Sequence, residues 1–216
     1  MIKIECVEVW GFRGALRGMR NPMNSWNKAD TIFDDAGRVV KLGSNDAGLM
    51  LRLKTAGTDH RKYLRMIHVQ CDITAPLYWW KDYDTYKIST VANSCSTMHK
   101  IHDKEFTLDM FSTEHLDEVG LICLEIIIFY LNHQRDRFID SNKTDKDAWY
   151  RMIQMLPTSY MQKRTVDLNY ETLLNIFGAR SNHKLYEFRD LCAYLKKELP
   201  YIAQLFEGVE PCDVNC

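Results

Sequence analysis

The chain has 216 residues, of which 46% are hydrophobic and 26% are charged. This composition excludes wholesale disorder and is typical of a globular protein with a substantial core. The formal net charge of -1 gives no overall reason to expect a polyanionic partner, so we predict no nucleic-acid binding.

The first elements are a strand and a short helix. Apolar and polar residues alternate over residues 2–9, and the phase changes between Cys6 and Val7, which predicts a strand with a bulge. Residues 11–37 predict a short helix followed by an irregular loop. Asn45 or Asp46 is then predicted to cap a helix that runs to about Ala56.

The clearest strand covers residues 66–73, where Ile67, Val69, Cys71 and Ile73 share one face. Pro76 follows and opens the aromatic segment LYWWKDYDTYK, which we predict to be helical. The small polar residues from Ser89 to Ser96 predict a turn or loop.

Three helices are predicted in the second half. The longest covers 115–139 with Thr113 as its cap, and it is apolar on nearly every side, so we expect it to be central or at a subunit interface. A second covers 145–155, and the last long helix begins near Asn182. The chain therefore predicts an α+β fold with an antiparallel or mixed sheet, as a single domain over 1–216 with a polar tail at 208–216.

The seven cysteines form no CxxC motif, and most of them lie in apolar patterns. This usage favours a reducing compartment over a disulfide scaffold. The start MIKIECVEVW lacks the features of a signal peptide, and the apolar run over 119–131 is too short for a membrane span. We therefore expect a soluble cytoplasmic protein.

Metal and nucleophile chemistry have little support in the sequence. His99 and His102 are three residues apart, but no third ligand completes a site, so we predict no metal. Cys95, between Ser94 and Ser96, is the one cysteine whose context suggests reactivity, and an ordinary loop cysteine is the simpler interpretation.

Two clusters have alternative interpretations. The basic residues His60, Arg61, Lys62 and Arg65 are able to hold a phosphate, although such a cluster is more often a solvated helix face. The aromatic residues of the segment that follows Pro76 form either a stacking surface or, more commonly, part of the core.

The segment LPTSYMQKRTVDLNYETLLNIFGAR brings Asn169, Asn175 and Arg180 close together in the sequence. They are able to converge where a strand, a turn and a helix meet. Asparagine offers a donor and an acceptor, and arginine offers a fork of donors. Together these groups suit the imide edge of a pyrimidine or a phosphate.

With these landmarks, residues 57–206 resemble the flavin-dependent thymidylate synthases (ThyX). The resemblance includes Ala75-Pro76 at a strand end, the long apolar helix, Leu156-Pro157 and the run from Asn169 to Arg180. It implies a ThyX-like fold and a homotetramer with sites between subunits. It also implies a pyrimidine nucleotide such as dUMP as substrate, with FAD and a methylene folate.

The resemblance assigns roles to individual residues. It implies that Arg180 binds the uracil ring and is the catalytic residue, because a cation near N3 favours the more nucleophilic, ionised pyrimidine. Asn169, Asn175 and His60 are matched to flavin contacts, and we add Lys62 from the same basic cluster.

The family signature RHRxxSxNExSxR is replaced here by TYKISTVANSCST. Thr85, Tyr86 and Lys87 stand for Arg-His-Arg, Asn93 for the Glu, Cys95 for the second Ser and Thr97 for the last Arg. At these positions we predict that Tyr86, Lys87, Cys95 and Ser96 bind substrate and that Asn93 contacts the cofactor.

The lost arginines leave three interpretations of the function open. Each charge-assisted contact is worth roughly 1.5–3 kcal/mol, so losing three of them weakens a nucleotide strongly unless other groups compensate. The chain is therefore either a divergent ThyX-like enzyme or a non-catalytic protein that senses or sequesters a nucleotide on the same scaffold. An oligomeric protein with only the architecture is a third reading.

Overall fold

The computed structural model describes residues 1–207, so the predicted tail at 208–216 lies outside the described residues. A four-stranded sheet has the strand order β1-β4-β6-β5, and β2 and β3 form a small antiparallel pair. The strands are β1 (Lys3–Trp10), β2 (Ile32–Phe33), β3 (Val39–Lys41), β4 (His68–Pro76), β5 (Val91–Ser94) and β6 (Met161–Asn169).

Eight α-helices accompany these strands in the described part of the chain. They are α1 (Phe12–Arg20), α2 (Ser44–Thr55), α3 (Leu77–Tyr83), α4 (Glu118–Asp140), α5 (Lys146–Met155), α6 (Tyr170–Arg180), α7 (Tyr186–Glu198) and α8 (Ile202–Phe206). Together with the sheets they confirm the predicted α+β class.

The described chain groups into two compact units. Unit 1 contains Met1–Lys3, Ile73–Thr85 and Asn93–Arg164, and unit 2 contains Ile4–Asp72, Tyr86–Ala92 and the described chain from Thr165 onward. The single domain inferred from the sequence stays a prediction.

The strands follow the predicted alternation. Along β4 the side chains of Val69, Cys71, Ile73 and Ala75 are buried, as the period of two requires. In β1 the alternation shifts at Cys6, whose φ of 52° lies in the left-handed region. This conformation explains the change of phase that the sequence shows.

The start of α2 differs from the prediction that Asn45 or Asp46 caps it. Its N-cap is Gly43, which has no side chain to offer. The carboxylate of Asp30 accepts hydrogen bonds from the N–H groups of Asn45 (2.9 Å) and Asp46 (3.0 Å) instead. A residue from the preceding loop therefore satisfies the open donors of this helix.

Two further boundaries differ from the sequence analysis. Val91–Ser94, predicted as loop, forms the edge strand β5, whose four residues are all exposed. The long helix begins at Glu118 and not at 115, because Asp117 and not Thr113 caps it by accepting the Gly120 N–H at 2.8 Å.

The core of unit 1 forms around α4 and α5, with Leu124, Leu131 and Phe138 facing Ala148 and Met152. The aromatic residues Trp79, Trp80 and Tyr83 are also buried within this unit. The core interpretation is therefore correct for these three rings, whereas Tyr86 of the same segment is half-buried and belongs to unit 2.

A buried histidine adjoins this core. The His102 ring packs edge-on to Phe138, with 5.0 Å between ring centroids. Burial, followed by the positive charge of Lys143, lowers the pKa of His102, while the Asp103 carboxylate opposes this shift. The folded state therefore disfavours the protonated imidazole.

We expect this histidine to make stability depend on pH. Since the unfolded chain takes up a proton near pH 6.5 and the folded His102 resists it, the free energy of unfolding should fall as pH drops below about 6.5. Urea unfolding at pH 7.5 and 5.5 measures this loss. His102→Gln should reduce this loss of unfolding free energy, whereas the same change at the exposed His99 should leave the loss unchanged. Equal losses between pH 7.5 and 5.5 in the two variants would contradict the assignment.

Candidate functional site

Asn169 lies where β6 ends and α6 begins, as the sequence suggested for this motif. Its side-chain oxygen accepts hydrogen bonds from the N–H (3.0 Å) and the hydroxyl (3.2 Å) of Thr172. The residue is buried, with 3% of its surface exposed. Asn169 therefore caps α6, and its carbonyl is committed to that role.

Arg180 is the last residue of α6 and is held by aromatic residues on two sides. Its Nε–H donates to the Tyr86 hydroxyl at 2.9 Å. The guanidinium carbon lies 5.6 Å from the centre of the Tyr86 ring and 5.0 Å from that of Phe188. Both contacts are within the range of a cation–π interaction, so the plane of the cation is constrained before any ligand arrives.

The segment 86–92 runs beside α6 in unit 2. Tyr86 is half-buried against Arg180, while Lys87 is exposed. The Thr172 hydroxyl lies 3.5 Å from the Ile88 carbonyl oxygen, near the other end of the helix. The structure thus brings together Tyr86 and Arg180, two of the predicted substrate residues, and Lys87 follows Tyr86 in the chain.

A buried carboxylate neutralises part of the basic cluster. Glu171, in the first turn of α6, accepts hydrogen bonds from Arg61 (3.1 Å) and from Arg65. Burial by itself raises the pKa of Glu171, but the hydrogen bonds and charges of Arg65 and Arg61 outweigh it and lower this pKa below its usual value. Both arginines of the basic cluster are therefore engaged within the protein.

The predicted cofactor residues near this cluster are more accessible. Lys62 is exposed in the 3₁₀ segment Arg61–Met66, and His60, the N-cap of that segment, is exposed as well. Asn175 is exposed, and its side-chain oxygen accepts a long hydrogen bond, 3.3 Å, from Arg61. These polar groups share unit 2 with Arg180.

Asn93, Cys95 and Ser96 belong to unit 1. Asn93 is exposed in β5, and Cys95 is exposed with its backbone N–H bonded to the Lys163 carbonyl at 2.9 Å. The Ser96 hydroxyl accepts from the backbone N–H groups of Met98 and His99, so it stabilises a local turn. Their predicted contacts with substrate or cofactor remain predictions.

Sequence reasoning gave no role to Glu171 or Phe188, which contact the site residues most directly. Glu171 was visible as the only acid between Asn169 and Asn175. Phe188 falls within the last long helix that the sequence predicts. Pairing either one with its cation requires the tertiary structure.

The described chain contains neither a cluster of metal ligands nor a membrane-spanning helix. No group of three His, Cys, Asp or Glu side chains within residues 1–207 is arranged to hold a metal ion. None of the helices described is long and apolar enough to cross a membrane.

Known structures share this fold. Thymidylate synthase X (ThyX) from Helicobacter pylori, solved with FAD and dUMP, is 19% identical with a TM-score of 0.67, covering 97% of this chain and 99% of that one. The UMP/dUMP methylase PolB from Streptomyces cacaoi, bound with 5-Br dUMP, is 12% identical with a TM-score of 0.65, covering 95% of this chain and 94% of that one. No family model and no curated protein match the sequence.

The fold is therefore the one that ThyX and this UMP/dUMP methylase share. More particularly, the chain has the ThyX-like fold that residues 57–206 predicted, and the structural likeness extends along nearly its whole length.

Proposed function

We propose that this protein binds a pyrimidine nucleoside monophosphate, with dUMP as the reference ligand, and that Arg180 contacts the base. The observation that carries the proposal is the fixed guanidinium of Arg180 between Tyr86 and Phe188. The dUMP and 5-Br dUMP in the two structures of the same fold support this choice of ligand.

The proposed chemistry of the site rests on charge. A cation at the imide edge of the pyrimidine stabilises the ionised base, and a more electron-rich ring is a better carbon nucleophile. The Tyr86 hydroxyl accepts the Nε–H of Arg180 and so orients the guanidinium. Lys87 follows Tyr86 in the chain, and its exposed ammonium is available for the nucleotide phosphate.

We further propose FAD as cofactor in the enzymatic form of this function, with a methylene folate as the carbon donor. Flavin, when bound, supplies a hydride. The exposed side chains of Asn175, His60 and Lys62 fit such a ligand, since they offer an amide and cationic groups on the surface of unit 2. Asn169 is proposed for the flavin only through its Nδ2 donors, because its carbonyl already caps α6.

A non-catalytic nucleotide binder on the same scaffold is the second candidate. It is favoured by the replacement of the signature arginines with Thr85 and Lys87. The internal pairing of Arg61 and Arg65 with Glu171 favours it as well, since it reduces the charge left for a dinucleotide. The two candidates differ in whether the purified protein carries flavin and turns over dUMP.

Binding of dUMP tests both candidates. Arg180→Ala should weaken dUMP roughly 10–150-fold, because a charge-assisted hydrogen bond contributes about 1.5–3 kcal/mol. Isothermal titration calorimetry on the full chain measures this change. Arg189→Ala is a matched control, since Arg189 also lies over an aromatic ring, that of Tyr186 at 3.9 Å. Equal affinities for dUMP in wild type and Arg180→Ala would overturn the assignment of Arg180. A flavin absorbance spectrum that changes when dUMP is added would favour the enzyme over the non-catalytic binder.

We also propose a cytoplasmic homotetramer with sites between subunits. An apolar face of α4 supports self-association: Val119, Ile122, Ile126 and Phe129 follow the spacing of one helix face and are 56–76% exposed. The five described cysteines are free thiols, which is compatible with a reducing compartment.

A further inference from the structure

A cavity of about 400 Å³ lies in unit 2 at the C-terminal end of α7. Val7, Val9, Trp10, Phe12 and Tyr194 form its apolar walls. This volume falls within the range of ordinary small-molecule sites. Glu198 lies ten residues beyond Phe188 in the chain, about 15 Å further along α7, so the cavity is separate from the Arg180 site.

The aromatic walls are fixed by contacts outside the cavity. Trp10 stacks on the His68 ring with 5.6 Å between centroids, and the Asp167 carboxylate lies 3.3 Å from that imidazole. Phe12 makes edge contacts with the rings of Tyr170 and Tyr201. Walls held in place in this way lose little conformational entropy when a flat ligand enters.

Two exposed groups of opposite charge also line the cavity, Arg38 from β2–β3 and Glu198 from α7. The Nε–H of Arg38 bonds to Asp34 at 2.7 Å, and one oxygen of Glu198 pairs with Lys197 at 2.8 Å. The Arg38 side chain is 77% exposed and that of Glu198 is 42% exposed, so engaging them with a ligand carries a modest desolvation cost.

Glu198 shares a face of α7 with the wall residue Tyr194, four residues earlier. Burial, and then the nearby Glu198 carboxylate, raise the pKa of the Tyr194 phenol. The acid is therefore close to the aromatic wall. A lining that combines aromatic rings with one cation and one anion is complementary to a flat apolar group that carries both an ammonium and a carboxylate.

We propose that this cavity binds an aromatic α-amino acid, with its ring between Trp10 and Tyr194. The carboxylate of the ligand pairs with Arg38 and its ammonium with Glu198. The site is independent of the proposed nucleotide function and adds a second small-molecule site to this chain.

Calorimetry with three related indoles tests the proposal on the full chain. L-tryptophan carries both charges, indole-3-propionate lacks the ammonium, and tryptamine lacks the carboxylate. Each exposed charge contact should contribute roughly two- to fivefold, so L-tryptophan should bind more tightly than either analogue. Absence of binding by L-tryptophan, or equal binding of all three, would overturn the proposal.

Two charge variants identify the partner of each group. Arg38→Gln should weaken L-tryptophan and indole-3-propionate about two- to fivefold and leave tryptamine unchanged. Glu198→Gln should weaken L-tryptophan and tryptamine by a similar factor and leave indole-3-propionate unchanged. A uniform effect on all three ligands would contradict the assignment. Arg180→Ala should have no effect on L-tryptophan, which separates this result from the nucleotide test.

Filling the cavity provides a steric test. Val9→Trp should abolish binding of all three indoles, and Val39→Trp, on the hairpin side of the cavity, is a second variant in case the first does not fold. Circular dichroism and thermal unfolding report whether each variant keeps its fold. A folded variant that still binds L-tryptophan with wild-type affinity would place the ligand elsewhere and overturn the proposal.

Discussion

Replacing Asp46 with alanine is expected to destabilise the protein by about 3–5 kcal/mol, since the change leaves a buried cation without its counter-charge. The Asp46 carboxylate is 1% exposed and the Arg20 guanidinium 4% exposed. Arg20 donates to one carboxylate oxygen at 2.8 Å, and the other oxygen accepts the backbone N–H of Thr31 at 3.0 Å. The pair therefore joins α1, α2 and the loop between them.

Urea unfolding followed by circular dichroism measures this loss. Asp34→Asn is the matched control, because its ion pair with Arg38 is largely exposed and should contribute less than about 1 kcal/mol. Removing both members, with Arg20→Met and Asp46→Leu, should recover part of the loss by eliminating the unpaired charge. Equal stability of Asp46→Ala and Asp34→Asn would show that the buried pair is not a stabilising element.

Placing a charge on the apolar face of α4 is expected to disrupt the proposed assembly. Phe129 is 76% exposed, and Ile126 beside it is 62% exposed. Burying a large apolar side chain contributes about 1.5–3 kcal/mol, and a symmetric interface uses each residue twice. Phe129→Glu replaces this gain with the cost of desolvating a carboxylate, so the variant should dissociate.

Size-exclusion chromatography with light scattering measures the mass in solution. Wild-type protein should have the mass of a tetramer and Phe129→Glu that of a smaller species at the same concentration. Tyr150→Glu, at an exposed position on α5, should leave the mass unchanged. A monomeric wild-type protein would contradict self-association through this face.

Local patterns in the sequence were sufficient for the order and type of most elements. The alternation from Val69 to Ile73 identified β4, because a strand with one buried face repeats every two residues. The boundaries of helices were less accurate. For α2, the group that completes the first turn is Asp30, which lies outside the helix and has no fixed spacing from it.

The candidate site, too, could be predicted only in part from the sequence. The motif around Asn169 and Arg180 was visible because a strand end and the following helix keep these residues near each other in the chain. The role of Asn169 was not visible: an asparagine at a helix start is able to cap it or face a ligand, and the hydrogen bonds to Thr172 decide for the cap.

The sequence by itself determined the α+β class, the resemblance to ThyX and the position of Arg180, since all three depend on short-range periodicity and on the order of landmarks. Only the tertiary structure decided which groups meet. Tyr86 and Arg180, or Arg65 and Glu171, are paired across about a hundred residues. It also decided which side of α4 is exposed, because a helix that is apolar on nearly every side has no pattern to distinguish a core face from an outer one.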